Sequence, residues 1–179
     1  MDTLMKIRFP LATSSWDRKE LDAIQRVIAS DQYSMGTEVS AFEKKFAAFF
    51  GSKFAVMVNS GSSANLLMTA ALTYTKNDNL RLKPGDEIIV PAVSWSTTYY
   101  PLNQYGLHLK FVDIDLESLN YDLSALSDAI TDKTRAIMVV NLLGNPNDFD
   151  TIYQIIGDRN IVVIEDNCES MGATFNNKQ

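Results

Sequence analysis

Between residues 54 and 164 the chain alternates short apolar runs with longer segments of helical periodicity, and this alternation constrains the fold more than any other feature. Residues 54–58, 87–90, 109–114, 136–140 and 161–164 read as strands. Residues 63–74, 96–105, 123–130 and 149–156 read as helices. The strands are near-continuous Val/Ile stretches, such as Ile88-Ile89-Val90 and Ile161-Val162-Val163-Ile164, rather than in-out patterns. Such strands are buried on both faces, so the chain is expected to be α/β, a mostly parallel sheet with helices on both faces. Pro84-Gly85-Asp86 and Gly157-Asp158 mark turns. Upstream, residues 17–29 place Leu21, Ile24, Val27 and Ile28 on one helical face, with Asp17 as N-cap. Residues 38–50 do the same with Val39, Phe42, Phe46 and Phe49, and Gly51 ends that helix.

Composition narrows the function. The net charge is -6 and the basic residues are scattered, so no basic stripe points to nucleic acid. The single cysteine, Cys168, and the single histidine, His108, argue against a disulfide framework and a zinc site. No apolar run approaches the ~20 residues of a membrane span, and residues 1–9 lack the apolar core of a signal peptide. A cytoplasmic location is the expectation.

In parallel sheets, ligands gather at the carboxyl ends of the strands. Four features there carry chemistry. Asn59-Ser60-Gly61-Ser62-Ser63-Ala64-Asn65 leads from a strand into a helix. Its glycine, hydroxyls and first helical N–H groups suit a phosphate at Gly61 and Ser62. It reads equally as a helix start capped by Ser62 or Ser63. Trp95 follows the next strand and can stack on a flat ring, or can be a core tryptophan. Asp166 ends the last strand, where a carboxylate needs a partner; the same residue with Glu169 has capping-box spacing. Asn141 to Pro146 reads as a Gly/Pro turn. Cys168 reads as a small buried residue. Asp113 and Asp115 read as strand-end decoration rather than a metal pair.

Together these motifs resemble the DegT/StrS family of sugar aminotransferases and dehydratases. The marks run in order: Gly36 with Val39 and Phe42-Glu43, then Ser60-Gly61-Ser62-Ser63-Ala64-Asn65. Lys83-Pro84-Gly85-Asp86, Phe111-Val112-Asp113-Ile114-Asp115 and Ile164-Glu165-Asp166 follow. The resemblance implies a fold-type I, pyridoxal-phosphate-dependent large domain, with residues 1–179 as its N-terminal part. It implies that Gly61 and Ser62 hold the cofactor phosphate, that Trp95 stacks on the pyridine ring, and that Asp166 pairs with the ring nitrogen. Glu169 stands where aminotransferases commonly carry Gln or His against the ring hydroxyl, and it is the only candidate within the chain for a substitute base. A homodimer is implied as well.

The departures from the aminotransferase pattern, Glu169 and the Asn141-Leu142-Leu143-Gly144 strand ending, point toward the family's 3-dehydratases. These act on nucleotide-linked 4-keto-6-deoxyhexoses in 3,6-dideoxysugar and lipopolysaccharide O-antigen synthesis. They use glutamate and the pyridoxal and pyridoxamine phosphate forms of the cofactor. A sugar aminotransferase and a catalytically inactive remnant are the competing readings. The family's Lys/His base, the rest of the large domain and the small domain are expected beyond Gln179. So is the strand that would neighbour residues 54–58.

Proton transfer by a positioned base contributes about 100- to 10,000-fold. The 179-residue chain, given cofactor, glutamate and a nucleotide-linked 4-keto-6-deoxyhexose, is therefore expected to yield no more than traces of deoxygenated or aminated sugar. Mass spectrometry of the products checks this. A turnover of about 1 per second or more would show that the base is misplaced.

Overall fold

The computed structural model describes residues 13–178, in two compact units divided at Met57 and Val58. The first unit holds two helices, α1 (Arg18–Ser30) and α2 (Thr37–Phe49). Asp17 caps α1 as expected: it accepts from the Lys19 N–H, and Glu20 reaches back to the Asp17 N–H to complete a capping box. Gly51, at φ +64°, follows α2. The predicted apolar face of α1 forms, but Leu21, Ile24 and Ile28 on it are exposed.

The second unit contains α3 (Gly61–Tyr74), β1 (Glu87–Pro91), α4 (Ser96–Gln104) and β2 (His108–Val112). These are followed by α5 (Leu123–Ala129), β3 (Thr134–Val140), α6 (Phe149–Ile156) and β4 (Val162–Asp166). The sheet is wholly parallel, in the order β2-β1-β3-β4. Successive residues of the central strands serve opposite faces. Ile88, Val90, Ala136, Met138 and Ile164 pack on one face with Leu102 of α4, joined by Met68 and Leu72 of α3. Ile89, Ile137 and Val139 pack on the other with Leu126 of α5 and Ile152 and Ile156 of α6. This is the expected three-layer arrangement, and it explains why the strands are apolar at every position.

One expected strand is absent. Residues 54–58 are irregular, with Phe54 and Val56 exposed, so the described sheet has four strands rather than five. A strand needs a hydrogen-bonding neighbour, and no described segment pairs with this one. The third expected strand also ends early, at Val112; Ile114 instead makes an isolated antiparallel bridge to Tyr121.

Between β1 and β3 the paired register ends at Ile89↔Ile137, short of the strands' carboxyl ends. The chain leaves β1 for β2 on one side, and leaves β3 for β4 on the other. This is the topological switch point at which parallel α/β sheets bind ligands. Tyr121, buried from the α5 side, donates its hydroxyl to the Met138 carbonyl at 2.6 Å, just past the last β1–β3 pair.

At the opposite end, buried Glu87 accepts from the hydroxyls of Thr131 and Thr134, and Lys110 lies 3.9 Å away. Burial alone would raise this carboxyl, but the two hydroxyls, with Lys110 and His108, outweigh it and hold the group below its ordinary value. A carboxylate with a lowered folded-state pKa stabilises the fold above the unfolded value, and that contribution is lost as pH falls through the folded one. Stability should therefore decline as pH drops below about 4.3. Glu87→Gln should cost about 1–3 kcal/mol at neutral pH and flatten the acid limb. Urea denaturation at several pH values checks both.

Candidate active site

Asp166, the last residue of β4, stands at the carboxyl end of an outer strand of the described sheet. It is buried, at 8% exposure, and no Lys, Arg or His among the described residues pairs with it. Its Oδ2 accepts from Asn65 Nδ2 of α3 at 2.9 Å and from Thr98 Oγ1 of α4 at 3.1 Å. Its Oδ1 accepts from the Cys168 N–H at 3.1 Å, and the Cys168 thiol also lies within hydrogen-bonding reach of the carboxylate. The capping box expected of Asp166 and Glu169 does not form, because no helix follows; the carboxylate makes an Asx-type turn instead.

Asn65 lies four residues into α3 from Gly61, so the helix N-terminus is about 6 Å along the axis from it. Ser60 is the N-cap, not Ser62 or Ser63: its Oγ accepts from the Ser63 N–H. The first-turn N–H groups of Gly61 and Ser62 have no intrahelical acceptor. Both residues are exposed, and a Cβ added to Gly61 would meet nothing within 4 Å.

Trp95 is the N-cap residue of α4, and its carbonyl accepts from the Thr98 N–H at 2.9 Å. Its side chain is not in the core: the residue is 72% exposed. Pro101 sits inside α4 and has no N–H to give the Thr97 carbonyl four residues back. Asn65 Nδ2 takes that acceptor at 3.3 Å.

Glu169 Oε2 accepts from the Leu143 N–H at 2.7 Å, pinning the 3-10 turn Leu142–Gly144. Leu143 has a left-handed φ of 54°, and a Cβ at Gly144 (φ +84°) would lie 3.3 Å from the Glu169 carbonyl. Behind this turn is an amide network. Asn141 donates to Glu165 and Asn167, while Asn147 donates to Asn141, Asn120 and the Val140 carbonyl. Asn141 was expected to bond its own turn; it also ties that turn to the end of β4.

Cys168 is exposed rather than buried. Its thiol is pushed up to about 11, by partial desolvation first and by the Asp166 charge second, so it stays neutral beside that carboxylate. Asp115 caps a turn through Glu117 and Ser118, and those contacts hold its carboxyl below the usual range. The described residues hold no cluster of three or more metal-ligating side chains.

Asp166 is thus tied to the helices that carry Gly61, Ser62 and Trp95 through Asn65 and Thr98, two residues to which the sequence reading gives no role. Asn65 carries a faint signal, as an amide inside an otherwise largely apolar helical segment. Thr98 carried none beyond standing three residues after Trp95.

The sequence profile of the DegT/DnrJ/EryC1/StrS aminotransferase family matches residues 14–179. The chain is 64% identical to the GDP-4-keto-6-deoxy-D-mannose 3-dehydratase of Escherichia coli O55:H7, over 96% of this chain and 44% of that protein. It is 36% identical to the UDP-2-acetamido-2-deoxy-3-oxo-D-glucuronate aminotransferase of Pseudomonas aeruginosa, over 90% of this chain and 43% of that one. A solved structure of the E. coli dehydratase with bound hydrated PLP superposes with a TM-score of 0.92 at 64% identity, covering 96% of this chain and 43% of that one. The chain therefore spans less than half the length of these relatives, and over the shared part its parallel sheet with flanking helices matches the solved dehydratase structure.

Asn147→Ala would leave the Asn120 and Asn141 oxygens and the Val140 carbonyl short of a donor in a buried setting. It should lower stability by about 1–3 kcal/mol and raise amide exchange in residues 141–147. Denaturant titration and hydrogen-exchange mass spectrometry check this.

Proposed function

The chain belongs to the DegT/DnrJ/EryC1/StrS aminotransferase family, and on that premise we propose that it is cofactor-binding sequence of a pyridoxal-phosphate-dependent sugar 3-dehydratase. The substrate class is a GDP-linked 4-keto-6-deoxyhexose, with glutamate as co-substrate, in dideoxysugar and lipopolysaccharide synthesis. The identity carries this reading: 64% to a 3-dehydratase against 36% to an aminotransferase over nearly the same residues.

The residues present fit the cofactor. Asp166 is a buried carboxylate without a cationic partner among the described residues, and a protonated pyridine nitrogen supplies that charge. Gly61 and Ser62 offer unclaimed N–H groups at the positive end of α3 for the phosphate. Trp95 offers an exposed indole for the ring face. Glu169 presents its second carboxylate oxygen at the rim, toward the ring hydroxyl or as a weak base. When bound, pyridoxal or pyridoxamine phosphate supplies the electron sink for chemistry at the sugar carbon beside the ketone. The protein's part is to hold the cofactor's charge at Asp166 and its phosphate at α3.

We further propose a cytoplasmic homodimer. The exposed Leu143 and Met171 near the carboxyl edge offer apolar surface for a second subunit to cover. No helix among the described residues is long and apolar enough to cross a membrane.

The deciding experiment supplies the full gene product with GDP-4-keto-6-deoxymannose, glutamate and cofactor, and identifies the sugar product. A dideoxy sugar is expected; an amino sugar would favour the aminotransferase, and neither would favour an inactive remnant. Gly61→Ala and Trp95→Ala should leave the melting temperature nearly unchanged, because neither site is packed. Each should weaken cofactor binding by roughly several-fold to tenfold, measured by fluorescence titration.

A further inference from the structure

We propose that Asn65 and Thr98 are positioning residues that lock the Asp166 carboxylate in one orientation and reserve its Oδ1 for a cationic N–H donor. The inference rests on the cofactor reading above and goes beyond it, by naming the oxygen and the residues that set it.

The direction of every proton in this cluster can be deduced. Asn65 Nδ2 has two acceptors, the Thr97 carbonyl at 3.3 Å and Asp166 Oδ2 at 2.9 Å, so its two protons are both assigned. The Thr97 carbonyl is available only because Pro101 cannot close that helical bond. The amide cannot flip without facing its oxygen to two acceptors. Thr98 has one hydroxyl proton. An ionised Asp166 accepts only, so this proton goes to Oδ2 at 3.1 Å. The Ser94 hydroxyl, 3.1 Å from Thr98 Oγ1, must then donate to it. Oδ2 therefore receives two side-chain donors from two helices.

Oδ1 receives one backbone N–H, from Cys168, and keeps acceptor capacity. The neutral Cys168 thiol also reaches the carboxylate, but S–H is a weak donor without charge, so a cationic N–H outcompetes it. The two oxygens are thus inequivalent, and the carboxylate cannot rotate without breaking bonds to α3 and α4. A protonated ring nitrogen meets an acceptor already aimed.

The test uses the full gene product and pyridoxal 5'-phosphate labelled with nitrogen-15 in the ring. Thr98→Val keeps the shape and removes the hydroxyl, while Thr98→Ser restores it. Asn65→Leu is the second variant. We expect Thr98→Val and Asn65→Leu to weaken cofactor binding by roughly tenfold or more. The ring-nitrogen resonance should move toward its unprotonated position in both. Thr98→Ser should return both readouts toward wild type. Binding and resonance unchanged in Thr98→Val and Asn65→Leu would overturn the positioning role and leave the cofactor reading standing. A loss in Thr98→Val that Thr98→Ser does not rescue would also overturn it, since packing rather than the hydroxyl would be responsible. If the wild-type protein binds no cofactor, the cofactor reading fails, and the positioning role fails with it.

Discussion

A carboxylate buried at the end of a strand must be compensated or it unfolds its surroundings, and Asp166 meets that constraint with neutral donors alone. Those donors come from α3, from α4 and from the turn after β4. Satisfying one charge thus fixes three segments that are far apart in sequence. The same contacts set the rim geometry: Gly61 is one helical turn from Asn65, and Trp95 is three residues from Thr98. A hydrophobic core would hold the helices against the sheet, but it is non-directional. The carboxylate supplies the direction.

The sheet makes this possible. β1 and β3 are covered on both faces, and their ladder ends before their carboxyl ends do. Early separation leaves the switch point open between the segments following β1 and β3. Tyr121 meets the Met138 carbonyl just past the end of that ladder, and among the described residues no buried side-chain polar atom is left unsatisfied. At the other end Glu87 closes the sheet with threonine hydroxyls and Lys110. One end of the sheet is closed and the other is open.

What could be read from sequence follows the range of the forces involved. Periodicity reports local burial, and it located six helices and four strands to within a few residues. Residues 54–58 have strand composition but no described neighbour to pair with, and pairing is not a property of the segment itself. Trp95 illustrates the same limit for side chains: the residue alone reads as a core or a stacking tryptophan, and in the structure, as the N-cap residue of α4, it leaves the indole outside. Cys168 departs from the ordinary preference of cysteine for burial, because the Asx turn at Asp166 carries it outward. The family motif spans the loops at the carboxyl ends of the strands, while the contacts that join them lie outside its reach.

Asn65 and Pro101 show why those contacts are hard to see in a sequence. An asparagine inside a helix is usually a weak choice, because its side chain competes for backbone bonds. A proline inside a helix is worse, because it removes a donor and crowds the carbonyl four residues back. Each looks like a local defect. In the structure the defects cancel: the carbonyl that Pro101 leaves open is the one that Asn65 fills, and the amide so fixed delivers its second proton to Asp166. A propensity scale assigns each residue its own cost and cannot register that the two costs are shared. Helical irregularities that are mutually satisfied across a core are therefore better read as joints than as flaws, and here the joint lies beside the carboxylate that organises the site.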